Sequence, residues 1–136
     1  NTASVAGLCA GPGLTAYCAS KFAVVGLGES LRAELKGRNI GVSSICPGII
    51  NTRIVDDARI NIKPGAAANS ESLTRFYRRR GWSPDRVARA AVKAVRKNRS
   101  VVPVAPEAWL MWLVKRFSQR GHDLSAYLLG RRLMEP

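Results

Sequence analysis

Ser4, Tyr17 and Lys21 are the residues of this 136-residue chain whose types and spacing could do chemistry. Tyr17 and Lys21 stand four apart where a helical pattern begins, so both side chains project from one face. A phenol is a poor base at neutral pH. An ammonium about 5 Å away, at an effective dielectric near 20, favours the phenolate by roughly 3 kcal/mol. Such a pair can give and take a proton. Ser4 lies thirteen residues before Tyr17, where a strand reads as ending, and its hydroxyl can hydrogen-bond an oxygen. Each residue alone has an ordinary explanation: a solvated Lys, a half-buried Tyr, a loop Ser. Their joint placement carries the signal.

The elements that would position them follow from the pattern around them. Residues 1–4 read as the exit of a buried strand. Val5 to Thr15 is a loop with Gly7, Gly11, Pro12 and Gly13 as breakers. The spacing of Phe22, Val25, Leu27, Leu31 and Leu35 predicts a helix over 16–37, with Gly37 as its stop. Ala19, Ala23 and Gly26 form a second, small-residue face suited to close packing of another helix. Ile40 to Cys46 reads as a strand ended by Pro47-Gly48. Strand, loop, helix, strand with no hairpin signal implies a parallel sheet with a crossover helix. In such a sheet, ligands bind at the carboxyl ends of the strands. Ser4, the start of the 16–37 helix and Pro47-Gly48 therefore converge on one crevice. Residues 49–82 read as irregular and polar. Ser83-Pro84-Asp85 predicts a helix start that runs to about Asn98 with Val87, Ala91 and Val95 inward. Val101 to Val104 reads as a last strand, followed by helices near 107–119 and 123–133.

Composition narrows the class. The length suits one domain, and 46% apolar residues can build a core. No run of about 18 apolar residues is present to span a membrane. Twenty-two basic groups against nine acidic ones leave a formal charge of +13. Residues 1–52 hold only four of the basic groups and two of the acidic ones, so most of the excess lies beyond them. Such a balance could serve nucleic acid, an anionic membrane surface or a polyanionic ligand. Cys9, Cys18 and Cys46 are odd in number and lack C-x-x-C spacing. They argue against a disulfide scaffold and a zinc site, and for buried thiols in a reducing compartment. No metal site is expected. His122 reads as a surface or capping residue, and Gly26-Leu27-Gly28 as packing rather than part of a dinucleotide fingerprint.

The segments N-T-A-S-V-A-G, A-Y-C-A-S-K-F-A-V-V-G-L and I-C-P-G-I-I-N-T, in that order, resemble the short-chain dehydrogenases/reductases. The Tyr-x-x-x-Lys pair, the Ser thirteen residues earlier, and Pro-Gly followed by a Thr all match. The match is dense over about residues 1–54 and loose beyond. The resemblance implies an α/β fold, the C-terminal part of a doubly wound, Rossmann-like parallel-sheet domain. It implies an oxidoreductase that interconverts a ketone or aldehyde and an alcohol with NAD or NADP. Tyr17 would be the acid/base. Lys21 would assist it and hold the cofactor ribose, and Ser4 would hydrogen-bond the substrate oxygen. Tyr17, Lys21, Pro47, Gly48, Ile50 and Thr52 would line the cofactor. The small-residue face of the 16–37 helix suggests a homo-oligomer.

The chain also departs from the family. It has no glycine-rich strand-turn-helix fingerprint and no residue that would choose NAD or NADP. The N-terminal cofactor half is thus expected to be absent from this chain, and the segment by itself to be inactive. The expected organisation is a catalytic segment over 1–54, a substrate loop over 55–82, and C-terminal helices with the last strand over 83–136. Arg75 and Arg78 to Arg80 in the substrate loop could meet an acidic group. In the tail, Trp109, Leu110, Trp112, Leu113 and Phe117 precede Lys115, Arg116 and Arg120, with Arg131 and Arg132 later. Aromatics beside basic residues suit a helix on an anionic bilayer; the plainer alternative is a helix covering the sheet or another subunit. Three readings result: a cytoplasmic reductase, peripheral to a membrane if its substrate is lipophilic; a non-catalytic membrane-surface module; and a nucleic-acid binder. The last is disfavoured, because no groove-reading motif or stacking platform is visible.

Overall fold

The computed structural model describes residues 1–54 and 67–134. A 3-10 turn at Val5–Gly7 leads into α1, Thr15–Leu35. A second 3-10 turn, Lys36–Arg38, precedes β1, Ser44–Pro47. Then follow α2, Ala67–Arg80; α3, Pro84–Arg96; β2, Val101–Val104; α4, Pro106–Phe117; and α5, Gln119–Met134. β1 and β2 pair in parallel, from Ser44 opposite Val101 to Pro47 opposite Val104. Thr2 bridges Ile45, also in parallel, and Ala3 donates to Ile45 O at 2.8 Å. The opening residues thus run beside β1 as the sequence predicts.

Side chains alternate across a strand, so β1 serves two layers. Cys46 joins Ala3, Leu8, Cys9 and Val25 in one buried cluster, on the side of α1. Ile45 joins Ala94, Val102 and Val104 in another, on the side of α3. Helices on both faces of a parallel strand pair are the local form of a doubly wound α/β sheet. All three cysteines are buried and free.

The structure corrects several expectations. β1 begins at Ser44 rather than Ile40, because the ladder starts only where β2 supplies a partner. Residues 42 and 98 are joined instead through Arg32, whose guanidinium donates to Val42 O, Asn98 O and Asn98 Oδ1. α1 ends at Leu35, and Asn39, not Gly37, takes the left-handed conformation that turns the chain (φ 58°); Asn tolerates that region where most residues do not. Leu27 lies on the outer side of α1 and is exposed. Part of the stretch expected to be irregular, Ala67–Arg80, is helical. Its cluster of Arg residues reads as a loop by charge, yet Glu, Leu and Arg are good helix formers. On α3, Val95 is 73% exposed, and Ala94, fully buried, takes the inward place; with Val87, Ala90 and Ala91 it keeps helical phase, which Val95 does not. His122 is buried rather than on the surface. Gly28 packs against Ser44, as its assignment to packing requires. Residues 55–66, the first part of the expected substrate loop, lie outside the described residues.

Candidate active site

Parallel pairing brings the carboxyl ends of the first segment and of β1 to one edge. Ser4 stands at that edge as the cap of the Val5–Gly7 turn, and its Oγ accepts from Ala6 N at 3.2 Å. That bond uses a lone pair and leaves the hydroxyl proton for another acceptor. Beneath it, the Cys46 thiol contacts the Ser4 backbone. Burial pushes this thiol up to about 11; the Ser4 backbone offsets part of the rise and the Glu29 carboxylate adds to it. Cys46 is thus a protonated, unreactive support for the edge.

Tyr17 and Lys21 occupy the first turns of α1. Lys21 Nζ lies 5.6 Å from the centroid of the Tyr17 ring. The ring is about one-third exposed, so it is reachable from outside. The turn that Ser4 caps packs directly on α1. A Cβ on Gly7 would collide with the backbone carbonyl of Lys21. Glycine is required there, and this close approach draws the Ser4 turn against the helix that carries Tyr17 and Lys21.

After β1, the chain makes a tied turn. Gly48 N donates to Val104 O, Ile49 N to Glu107 Oε1 and Asn51 N to Trp82 O. The N–H groups of Ile50 and Thr52, which alternate with these, find no acceptor among the described residues. Ile50 is buried, with 8% of its surface exposed. A backbone donor with no acceptor among the described residues can meet an oxygen of a ligand. Lys21, Ile50 and Thr52 thus bring donors to this edge, while the Gly48 N–H is already used inside the protein. Among the described residues no cluster of His, Cys, Asp or Glu could hold a metal ion.

Two residues enter that the sequence pattern does not single out. Glu107 joins the Pro47-Gly48 turn to Trp82, accepting from Ile49 N and Trp82 Nε1 at 3.2 Å each. An acid in the first turn of a helix reads as ordinary dipole compensation, which hides this role. Tyr77, on α2, lies close enough to Tyr17 for the two to interact electrostatically. Burial, and then Tyr17, push its phenol up. Its only sequence signal is helical phase in a stretch dominated by charge.

A family model described as short chain dehydrogenase matches residues 1–63. The chain is 35% identical over 126 residues to Probable oxidoreductase EphD of Mycobacterium tuberculosis, covering 85% of this chain and 20% of that protein. It is 35% identical over 115 residues to the uncharacterized oxidoreductase YbbO of Escherichia coli, covering 85% and 42%. A crystal structure of a short chain dehydrogenase/reductase from Burkholderia phymatum in complex with NAD superposes with a TM-score of 0.72 at 28% identity, over 92% of this chain and 47% of that one. The chain thus spans from a fifth to less than half the length of these relatives.

Proposed function

Because this chain belongs to the short-chain dehydrogenases/reductases and forms part of such a domain, we propose that it supplies the proton-transfer half of a nicotinamide-dependent oxidoreductase. The polypeptide containing it would interconvert a ketone or aldehyde and an alcohol. The observation that carries this reading is the Lys21 ammonium held beside the Tyr17 ring, on a helix against which the Ser4 turn is pressed.

Reduction of a carbonyl builds negative charge on its oxygen. Ser4 donates a hydrogen bond to that oxygen and Tyr17 delivers the proton; in the reverse direction Tyr17 removes it. Lys21 stabilises the phenolate that remains and offers its other protons to a ribose hydroxyl. Ile50 and Thr52 present backbone N–H groups to the nicotinamide side, with Pro47 and Gly48 shaping the turn. NAD or NADP, once bound, supplies or accepts the hydride. The NAD in the Burkholderia relative favours a nicotinamide cofactor of either kind. Phe76 and Tyr77, edge to face with ring centroids 6.2 Å apart, lie on the helix that reaches Tyr17. This aromatic pair favours a substrate with an apolar body. The exposed Ala19, Ala23 and Gly26 face of α1 favours assembly with a second copy.

The test is Tyr17→Phe in the intact native polypeptide. Turnover should fall by about a thousandfold or more, the scale of a lost acid/base group, with cofactor binding and melting temperature unchanged. Retained turnover overturns the assignment.

A further inference from the structure

α4 is pinned in one rotational setting. Ala108 is fully buried, and Trp112 packs against the cluster on the α1 side. Lys115 Nζ donates to Leu8 O at 2.9 Å and lies 4.4 Å from the centroid of the Phe22 ring. Opposite these contacts, helical phase lines up Leu110, Leu113 and Phe117. They are 65%, 39% and 85% exposed. The outermost line of the helix is therefore apolar, where a surface helix ordinarily carries its polar residues. α5, which packs against α4, adds exposed Leu124, Tyr127 and Leu128.

Next to this line runs a groove of about 320 Å³ between α3, β2 and the start of α4. Arg86, Lys93 and Arg99 line it, and no acidic side chain does. Pro106 and Trp109 belong to both the groove and α4, so cations and apolar stripe are neighbours. The arrangement matches a surface with anions above a hydrocarbon layer.

We propose that α4 and this groove form a docking face for an anionic lipid bilayer. Leu110, Leu113 and Phe117 enter the acyl boundary, Trp109 sits at headgroup depth, and Lys93 and Arg99 meet lipid phosphates. A nucleic acid would engage the cations and leave the apolar stripe uncovered. A second copy of this chain would bring the same cations to the interface, adding repulsion where the bilayer brings opposite charge. Docking at this face is independent of the role of Tyr17.

The test is flotation of the intact native polypeptide with vesicles of phosphatidylcholine alone and of equimolar phosphatidylcholine and phosphatidylglycerol. The protein should float with the anionic vesicles only, and less at high salt. Leu110→Ser with Phe117→Ser should cut the bound fraction at least tenfold. Lys93→Gln with Arg99→Gln should cost about fivefold per cation. Both pairs change exposed side chains, and unchanged melting curves verify that they fold. Three results overturn the proposal. The first is no flotation, or equal flotation with both vesicle types. The second is flotation that survives the Ser pair, which reduces the face to a polyanion site. The third is dissociation of a stable oligomer by the Ser pair, which assigns the face to a second copy.

Discussion

The two layers on either side of β1 are built from different materials. The layer toward α1 holds Cys9 and Cys46 and brings Gly28 against the Ser44 hydroxyl. The layer toward α3 is aliphatic throughout, with Ala94 seated among Ile45, Val102 and Val104. Both helices approach the strands through one small residue, so the geometry is shared and the chemistry is not. The α1 layer carries Ser4, Tyr17 and Lys21 above it, and its Cys46 thiol contacts the Ser4 backbone. The α3 layer supports nothing reactive and needs only volume and phase. The difference predicts that the two layers respond differently to pH and to added atoms.

The largest contrast should come from alkali. Burial raises the Cys46 thiol from 9.0 to about 11. A raised group contributes its full stability below the unfolded value and loses it as pH climbs through the folded one. Between about pH 9 and 11 the unfolded chain ionises this thiol while the folded chain keeps it protonated. Up to about 3 kcal/mol should be lost over that window. Urea unfolding of the intact protein at pH 8 and at pH 11 measures it. Cys46→Ala should shrink the difference, leaving the part due to Cys9 and Tyr77, which burial also raises. An equal alkaline loss in the variant would place the titration elsewhere and erase this distinction between the layers.

A smaller contrast is steric. A methyl on Gly28 would run into Ser44 Oγ. Overpacking of this kind costs about 1–3 kcal/mol, against a gain of about 1 kcal/mol in helix propensity. Gly28→Ala should therefore lower stability by up to about 2 kcal/mol, and Ser44→Ala in the same chain should recover most of it. A double-mutant cycle measures the coupling. Additive effects would mean that α1 shifts away freely and that its approach to β1 is loose.

How much of this was legible in sequence divides along the same line. On the α1 side, residue type and spacing mark Ser4, Tyr17 and Lys21 in the sequence, the family resemblance adds Pro47-Gly48, and the helix and strand that carry them form where the pattern puts them. β2 lies at Val101–Val104, where the sequence pattern puts it, because apolar residues between turn signals leave few alternatives. Val95 is exposed where the pattern points it inward, because Val and Ala can both face inward and only packing decides the phase. α2 is hidden in the sequence because its arginines outweigh its helical pattern. Glu107 and Tyr77 act across tens of residues, through contacts that no local window contains. The stripe on α4 shows in sequence only as aromatics beside cations, because which side of the helix faces outward depends on Lys115 reaching Leu8.

The smallest contrast concerns how each helix starts. α3 begins with Ser83, whose Oγ accepts from Asp85 N at 3.2 Å, and with Pro84 as its first residue. α1 begins after Leu14, which offers no side-chain cap. Its first turn instead carries Tyr17 and adjoins the Ser4 turn, so packing must hold what a cap would otherwise hold. Ser83→Ala should cost about 1 kcal/mol, the usual value of a lost N-cap, read as a small drop in melting temperature with turnover unchanged. Leu14→Ala removes no capping bond, and Leu14 is half exposed. Its stability cost should be smaller, on the scale of a few tenths of a kcal/mol for a surface change. A larger loss from Leu14→Ala than from Ser83→Ala would show that the start of α1 depends on this leucine. α1 would then be anchored at its outer surface rather than through the Gly7 contact at Lys21.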